Sequence, residues 1–181
     1  MLNILKGLLA VAPRSDIRYY LNGVNIVRGE DQLVRLSATD GHIIISLVIS
    51  SDLFDVEQNT NVIICAKSLT NILKMFNKKS VLTFKSSNES VTINGYNLET
   101  IDGNYPNVER VLNFKHKPTA TSEIGMNLDL LAKLCKGCST ILNSKHGAAL
   151  FHIRGVSDSI LISQTFNEVD NLTAAIMPVR L

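Results

Sequence analysis

Apolar residues along this chain repeat in one order, which is a short strand, an amphipathic helix and then a run of short strands. The first copy lacks the leading strand. Its helix has an apolar stripe at Leu2, Leu5, Leu8, Leu9 and Ala12. Strands are predicted over residues 18–21, 24–27, 33–38 and 43–49, with turns at Asn22-Gly23, Gly29-Glu30-Asp31 and Thr39-Asp40-Gly41.

The second and third copies have all three parts. In the second, a strand over 62–65 leads to a helix that Ser68 should cap. The apolar stripe of this helix is at Leu69, Ile72, Leu73 and Phe76, and strands follow over 81–84, 91–93 and 96–101. In the third, a strand over 123–126 leads to Asn127 as the N-cap, with a stripe at Leu128, Leu131, Leu134 and Cys135 and strands over 149–153, 160–163 and 173–177. The helix starts, at 2, 69 and 128, are 67 and 59 residues apart, which is too long for a solenoid and suits half-domains. Residues 102–118 are the predicted linker.

Composition predicts a globular chain. It has 181 residues, of which 45% are apolar, enough for one good core or two small ones. No apolar run approaches the roughly 20 residues of a membrane span, so we expect a cytoplasmic protein without a membrane partner. Residues 1–12 end in Ala10-Val11-Ala12 and could form a signal peptide, but Lys6 interrupts the run and favours a helix packed on a sheet.

The three cysteines fit a reducing compartment. Cys135-Lys136-Gly137-Cys138 has redox spacing, but it lies near the end of a predicted helix, whereas redox pairs usually open one. A structural role is therefore the favoured interpretation. No second close pair of ligands supports zinc, and no cofactor is expected.

Charge is unevenly distributed although the net charge is only +2. Residues 58–88 contain five lysines and no acid, and residues 130–157 contain three lysines, one arginine and no acid. These stretches are either solvated helix faces or the basic side of a protein that follows phosphates.

Catalytic motifs are absent from the sequence. It contains no G-x-S-x-G, G-x-x-x-x-G-K-[ST] or H-E-x-x-H. Asp40-Gly41-His42 could be an acid–base pair, but a turn aspartate that caps its own backbone is the simpler interpretation. We expect a protein that is not an enzyme.

Four stretches resemble the bacterial sliding clamp, the β subunit of DNA polymerase III, and occur in the same order. They are RYYLNG at 18–23, ATDGH at 38–42, NYPNVERVL at 104–112 and MPVRL at 177–181. The resemblance implies an α+β DNA clamp fold, with helices on one face of antiparallel sheets in three strand–helix–strands units. Residues 1–112 resemble the middle domain, with two units, and residues 113–181 resemble half of the C-terminal domain.

The resemblance also implies two binding surfaces. One contacts duplex DNA and comprises Lys6, Arg18, Tyr19, Tyr20, Lys74, Lys78, Lys79, Lys133 and Lys136. Because adjacent strand residues face opposite ways, one of the two tyrosines is expected in the core. The other surface is a pocket for a short apolar peptide of polymerases and clamp loaders. It comprises Leu21, Thr39, Gly41, His42, Ile44, Pro106, Arg110, Val111, Asn127, Ile176, Met177, Pro178, Val179, Arg180 and Leu181.

Three departures qualify the resemblance. Ile43 stands where the family usually has arginine, Asn113 replaces a proline, and the first domain and half of the last have no counterpart. Residues 177–181 could also be only a frayed terminus. The predicted function is a sliding clamp and processivity factor without catalysis, and the alternative is a peptide-binding adaptor or decoy that does not encircle DNA. A ring of twelve units needs four copies, and the lone third unit should leave an apolar face for a second copy.

Overall fold

The computed structural model describes residues 1–30, 32–52, 54–112, 123–144, 149–153, 155, 158–163 and 172–179. The helices are α1 (Leu2–Val11), α2 (Ala66–Leu73), α3 (Val108–Val111) and α4 (Leu128–Leu142). The strands are β1 (Gly23–Arg28), β2 (Leu33–Thr39), β3 (Ile43–Ser50), β4 (Asp55–Val56), β5 (Thr60–Cys65), β6 (Phe84–Ser86), β7 (Val91–Ile93), β8 (Tyr96–Asn97), β9 (Thr100–Ile101), β10 (Leu150–His152), β11 (Ile160–Ser163) and β12 (Leu172–Ile176).

Two sheets organise these elements. The larger has eight strands in the order β10-β11-β12-β3-β2-β1-β5-β9, with every pair antiparallel. The smaller has the order β4-β6-β7-β8, and its β4–β6 pair is parallel. The main core contains apolar residues of both sheets and of α1, α2 and α4. None of the described helices is long and apolar enough to cross a bilayer.

The third unit joins the first at a continuous sheet. β12 pairs with β3, with Ile176 opposite Ile43 and Leu172 opposite Leu47. On the helical face, α4 packs against α1, and a Cβ atom on Gly7 would lie 2.6 Å from the carbonyl oxygen of Gly137. The helices approach this closely because neither glycine has a side chain at the contact.

The packing of the third unit on the first contradicts the expected exposed apolar face, while the expected domain boundary is not tested. The prediction that the third unit leaves its apolar face bare is wrong for α4 and β12, because the first unit covers both. Leu5 and Ile45 share one core cluster with Leu134 and Ile176. The predicted domain boundary after residue 112 adjoins residues 113–122, which lie outside the described residues, and stays a prediction.

Most predicted elements are present, but two local predictions in the first two units are wrong. Residues 19–21 form a 3₁₀ turn instead of a strand, because Asp16 and Asn22 bond to each other through side chain and backbone and close the segment into a loop. Ser68 does not cap α2, which begins at Ala66, and its hydroxyl accepts from the Glu99 N–H.

In α4 the apolar stripe has a different phase from the predicted one. Asn127 caps the helix as predicted, and its Oδ1 accepts from the Asp129 and Leu130 N–H groups. The buried positions are Leu134, Gly137, Cys138 and Ile141, whereas Leu128 and Cys135 are exposed. Instead of the strand expected over 123–126, the structure has a single bridge from Gly125 to Val179.

The Cys135–Cys138 segment lies within α4, against α1. Gly137 contacts Ile45 and Gly7, and Cys138 is buried beside it. Burial raises the pKa of the Cys138 thiol to about 12, the opposite of what a redox pair needs. This supports the structural interpretation. No three His, Cys, Asp or Glu side chains among the described residues come together as metal ligands.

Candidate peptide groove

A cavity of about 280 Å³ opens where the first unit, at β3, meets the third unit, at β12. We call it the apolar groove. Its walls come from the turn before β3, from the end of β12, and from the segment that precedes α3. The lining residues are Arg18, Tyr20, Leu21, Thr39, Gly41, His42, Ile43, Ile44, Pro106, Val111, Ser159, Ala175, Ile176 and Met177.

The first wall is the turn of residues 39–42, which we call the Asp40 turn. Asp40 Oδ1 accepts from the N–H groups of His42 and Ile43, both at 3.0 Å. Thr39 Oγ1 donates to the Ile43 carbonyl at 2.7 Å and accepts from the Gly41 N–H. Gly41 has φ of +89°, which favours glycine. Asp40 therefore caps its own backbone, in agreement with the simpler interpretation of Asp40-Gly41-His42.

Arg18 holds the Asp40 turn from one side. Its Nη2 atom donates to the Asp40 carbonyl at 2.8 Å and to Asp16 Oδ2 at 2.9 Å. Hydrogen bonds from the Arg18 side chain and backbone lower the pKa of Asp16 to about 2. The guanidinium lies so close to Gly41 that a Cβ atom added to Gly41 would clash with Arg18 Nη1.

The second wall is the end of β12 and the residues after it. The Met177 N–H donates to the His42 carbonyl at 2.8 Å, and the Val179 N–H donates to the Gly125 carbonyl at 2.9 Å. Ile176 is buried, whereas Met177 and Val179 are about 40% exposed. Residues 177–179 are thus hydrogen-bonded at both ends, which disagrees with the alternative of a frayed terminus over these three positions.

The third wall crosses the face of the sheet opposite the long helices. The Tyr105 hydroxyl accepts from the Thr39 N–H at 3.0 Å. Burial raises the pKa of Tyr105 well above its usual value. Val108 and Leu112 pack with Ile44, Leu161 and Ala175 in a second apolar cluster. This cluster supports Pro106 and Val111 at the edge of the apolar groove.

Lys133 joins the Asp40 turn to α4. Its Nζ donates to Asp40 Oδ2 at 2.7 Å. Burial of the Asp40 carboxyl raises its pKa, but hydrogen bonds from Lys133 and from the Ile43 and His42 N–H groups outweigh that effect and leave the pKa lowered. The resemblance places Lys133 among the residues that face phosphates, but its ammonium group already has a carboxylate partner.

The structure brings nine of the fifteen predicted pocket residues to the groove: Leu21, Thr39, Gly41, His42, Ile44, Pro106, Val111, Ile176 and Met177. Arg110, Pro178 and Val179 do not line it, and Asn127 caps α4. Arg180 and Leu181 lie outside the described residues. Ile43, Ser159 and Ala175 line the groove but were not among the predicted pocket residues, and Arg18 and Tyr20, which were assigned to DNA, line it as well.

Three predicted DNA residues come together on the helical face. Lys6, Lys74 and Lys136 surround a second cavity of about 330 Å³ between α1, α2 and α4. Arg14 joins them and was missed, since it lies in a loop after α1 without a flanking basic pattern. Lys78 and Lys79 are exposed beyond α2.

The tyrosine prediction fails because residues 19–21 are a turn. Tyr19 is 59% exposed, Tyr20 is half-buried, and Leu21 is the residue that enters the interior. The two rings meet edge to face, with centroids 5.8 Å apart.

Comparison with known proteins identifies the family. The profile of the DNA polymerase III beta subunit, central domain, matches residues 3–107. The chain belongs to this family. No curated protein matches it in sequence.

Solved clamp structures share the fold across nearly the whole chain. The beta subunit from the DNA polymerase of Streptococcus pyogenes is 16% identical, with a TM-score of 0.75, over 99% of this chain and 64% of that one. The Pseudomonas aeruginosa sliding clamp, solved with a ligand, has the same identity and coverage and a TM-score of 0.76. The Helicobacter pylori beta clamp bound to a DNA ligase peptide is 14% identical, with a TM-score of 0.76, over 99% of this chain and 63% of that one.

These similarities confirm the predicted α+β DNA clamp fold and the predicted resemblance. The chain is sliding-clamp-like in fold, and it spans about 64% of the length of the first two clamps.

Proposed function

We propose that this protein is a processivity factor without catalysis, which binds duplex DNA non-specifically and holds DNA polymerase or clamp-loader proteins by a short apolar peptide. The observation that carries the proposal is the apolar groove, preformed at the junction of β3 and β12. It combines apolar side chains such as Leu21, Ile44 and Ile176 with the rigid Pro106. A preformed groove lowers the entropic cost of binding a flexible peptide.

The chemistry of the groove suits a peptide with two or three large apolar side chains. Its volume of about 280 Å³ is at the lower end for ligand pockets, so it accommodates a few side chains and not a folded domain. Among the similar clamps, the Helicobacter pylori protein binds a DNA ligase peptide. By analogy, we propose that peptides of replication and repair enzymes bind here.

The basic cluster supports the second half of the proposal. Lys6, Arg14, Lys74 and Lys136 lie on or beside three helices on one side of the sheet, remote in the fold from the cluster around Val108 and Leu112. Exposed cations give salt-dependent contacts with phosphates but no base readout. Such contacts allow a protein to slide.

Encirclement of DNA requires several copies of this chain, so we propose a homo-oligomer. A tetramer, at three strand–helix–strands units per chain, would supply the twelve units of a ring. At the edge of the larger sheet, β10 pairs on one side only within the described residues, and Leu150 and Phe151 are 53% and 39% exposed. An exposed apolar edge strand is a natural site of self-association.

A retention assay separates the processivity factor from a non-encircling adaptor. The protein is mixed with closed circular DNA and passed over a sizing column at moderate salt, before and after the circle is cut. A processivity factor that encircles DNA stays with the circle and is lost from the linear form. Equal retention on both forms, or none on either, contradicts encirclement and leaves peptide binding as the function.

A further inference from the structure

The ion pair between Lys133 and Asp40 connects two parts of the chain that are distant in sequence. Asp40 belongs to the turn before β3, and Lys133 lies in the second turn of α4. The Nζ–Oδ2 distance is 2.7 Å, with the Asp40 side chain 12% exposed and the Lys133 side chain 35% exposed. Removing one partner of such a pair leaves the other charge partly buried and unpaired, which costs more than at an exposed surface pair.

Neither side chain lines the apolar groove, but Asp40 belongs to the turn that forms its first wall, and Lys133 bonds that turn from α4. Asp40 uses one carboxylate oxygen for the His42 and Ile43 N–H groups and the other for Lys133. Lys133 is on the helix that Asn127 caps, and Gly125, two residues before that cap, bonds Val179. The pair therefore spans the same junction as the Met177–His42 hydrogen bond.

We propose that Lys133 is a positioning residue for the apolar groove. Through Asp40 it holds the Asp40 turn against α4, and so keeps this first wall at the distance from the second wall, the end of β12, that binds a peptide. This inference rests on the proposed peptide-binding function. It differs from a role in DNA binding, because it assigns the ammonium group to a carboxylate of this chain.

The test uses the full chain and a fluorescein-labelled heptapeptide with two leucines and one phenylalanine, called the probe peptide. Lys133→Met removes the charge and keeps the aliphatic stem, and the expected result is about fivefold weaker binding in fluorescence polarisation. Lys133→Arg keeps the cation and should bind like the wild type. Lys85→Met removes a different ion pair, with Asp55 on the small sheet, and should also leave binding unchanged.

A double-mutant cycle tests the route through Asp40. Asn at position 40 still accepts the two backbone N–H groups through its Oδ1 but offers Lys133 no carboxylate, so Asp40→Asn should weaken binding as much as Lys133→Met does. The double variant should be no weaker than either single variant, because both remove the same interaction. NMR signals of the His42 and Ile43 amides should shift in Lys133→Met but not in Lys85→Met.

The outcomes separate the two proposals. If the wild type does not bind the probe peptide, the proposed function fails. If the wild type binds it and Lys133→Met binds equally well, or if the effects of Lys133→Met and Asp40→Asn add fully, the positioning role is overturned. Thermal unfolding of each variant shows whether the fold is retained. If Lys133→Met does not fold, the positioning role is tested by comparing probe-peptide binding of Asp40→Asn with that of Lys133→Arg.

Discussion

The backbone N–H of Met177, the residue after β12, donates to the carbonyl oxygen of His42 at 2.8 Å and so continues the pairing of β12 with β3 by one hydrogen bond. This bond lies at the mouth of the apolar groove, whose walls both residues line. A main-chain hydrogen bond thereby joins residues that are 135 positions apart in the sequence. Side-chain identity then determines what the groove binds.

Removal of residues 179–181 should abolish binding of the probe peptide and spare DNA binding. The Val179 N–H bonds to the Gly125 carbonyl, and its loss leaves the Met177–His42 bond as the remaining backbone bond of the groove wall that carries Met177. Fluorescence polarisation with the probe peptide and with a labelled DNA duplex measures both activities. An equal loss of both would show that the two surfaces are not separate.

Charge reversal at Lys74, Lys78 and Lys79 should have the opposite effect. All three side chains are exposed, Lys74 at the second cavity and the others beyond α2. DNA affinity should fall, and its log–log salt slope should become shallower by about 0.9 for each phosphate that the variant no longer neutralises. Peptide binding should remain. A salt slope unchanged from the wild type would exclude these lysines from the DNA surface.

Lys133 and Lys136 should differ in the same DNA assay. Lys136 is exposed beside Lys6 and Lys74, whereas the Lys133 ammonium group bonds Asp40. Lys136→Met should therefore reduce the magnitude of the salt slope by about 0.9, and Lys133→Met should leave it unchanged. The reverse pattern would mean that Lys133 releases Asp40 when DNA binds.

Gly7→Ala should destabilise the protein by about 1–3 kcal/mol, although alanine is the better helix former. The new Cβ atom would clash with Ile141 Cγ1 and lie 2.6 Å from the Gly137 carbonyl oxygen, which is backbone and cannot move aside alone. Urea unfolding measures the change. Gly29→Ala is the matched control, because its Cβ atom would meet nothing within 4 Å. Similar stability of the two variants would contradict the close α1–α4 contact.

Acid should destabilise the protein partly through Asp16. Its pKa is about 2 in the folded chain against an ordinary value of 3.8, so the charged form is favoured by folding. This contribution is complete above about pH 4 and is lost as the pH falls through about 2. Asp16→Asn should therefore show a smaller loss of unfolding free energy between pH 4 and pH 2. An acid dependence identical to that of the wild type would contradict the Asp16–Arg18 interaction.

Much of the fold follows from local sequence patterns. The apolar periodicity predicts α1, β1, β2 and β3 because each has an apolar face that packs into one core. It places α4 and two of its four stripe residues, Leu131 and Leu134, correctly, but the buried face is rotated toward Gly137 and Cys138. Gly137 at its contact with α1 leaves no hydrophobic signal, and Leu128 is apolar but 75% exposed.

The candidate site is predictable only in part, and for a physical reason. The resemblance in the RYYLNG, ATDGH and MPVRL stretches locates most of the groove. Ser159 and Ala175 carry no signal, because they reach the groove through the pairing of β11, β12 and β3, which is a long-range contact. The Lys133–Asp40 pair depends on the same packing, so the resemblance assigns Lys133 to DNA without showing its carboxylate partner.

The most direct measurement is a titration of the isotopically labelled protein with the probe peptide, followed through backbone amide NMR shifts. We predict saturable shifts concentrated at Thr39, Gly41, Ile44 and Met177, with little change at Lys74 or in the β6–β7 hairpin. Saturable shifts centred on the helical face, or no shifts at millimolar peptide, would contradict the claim that this groove is the peptide-binding site.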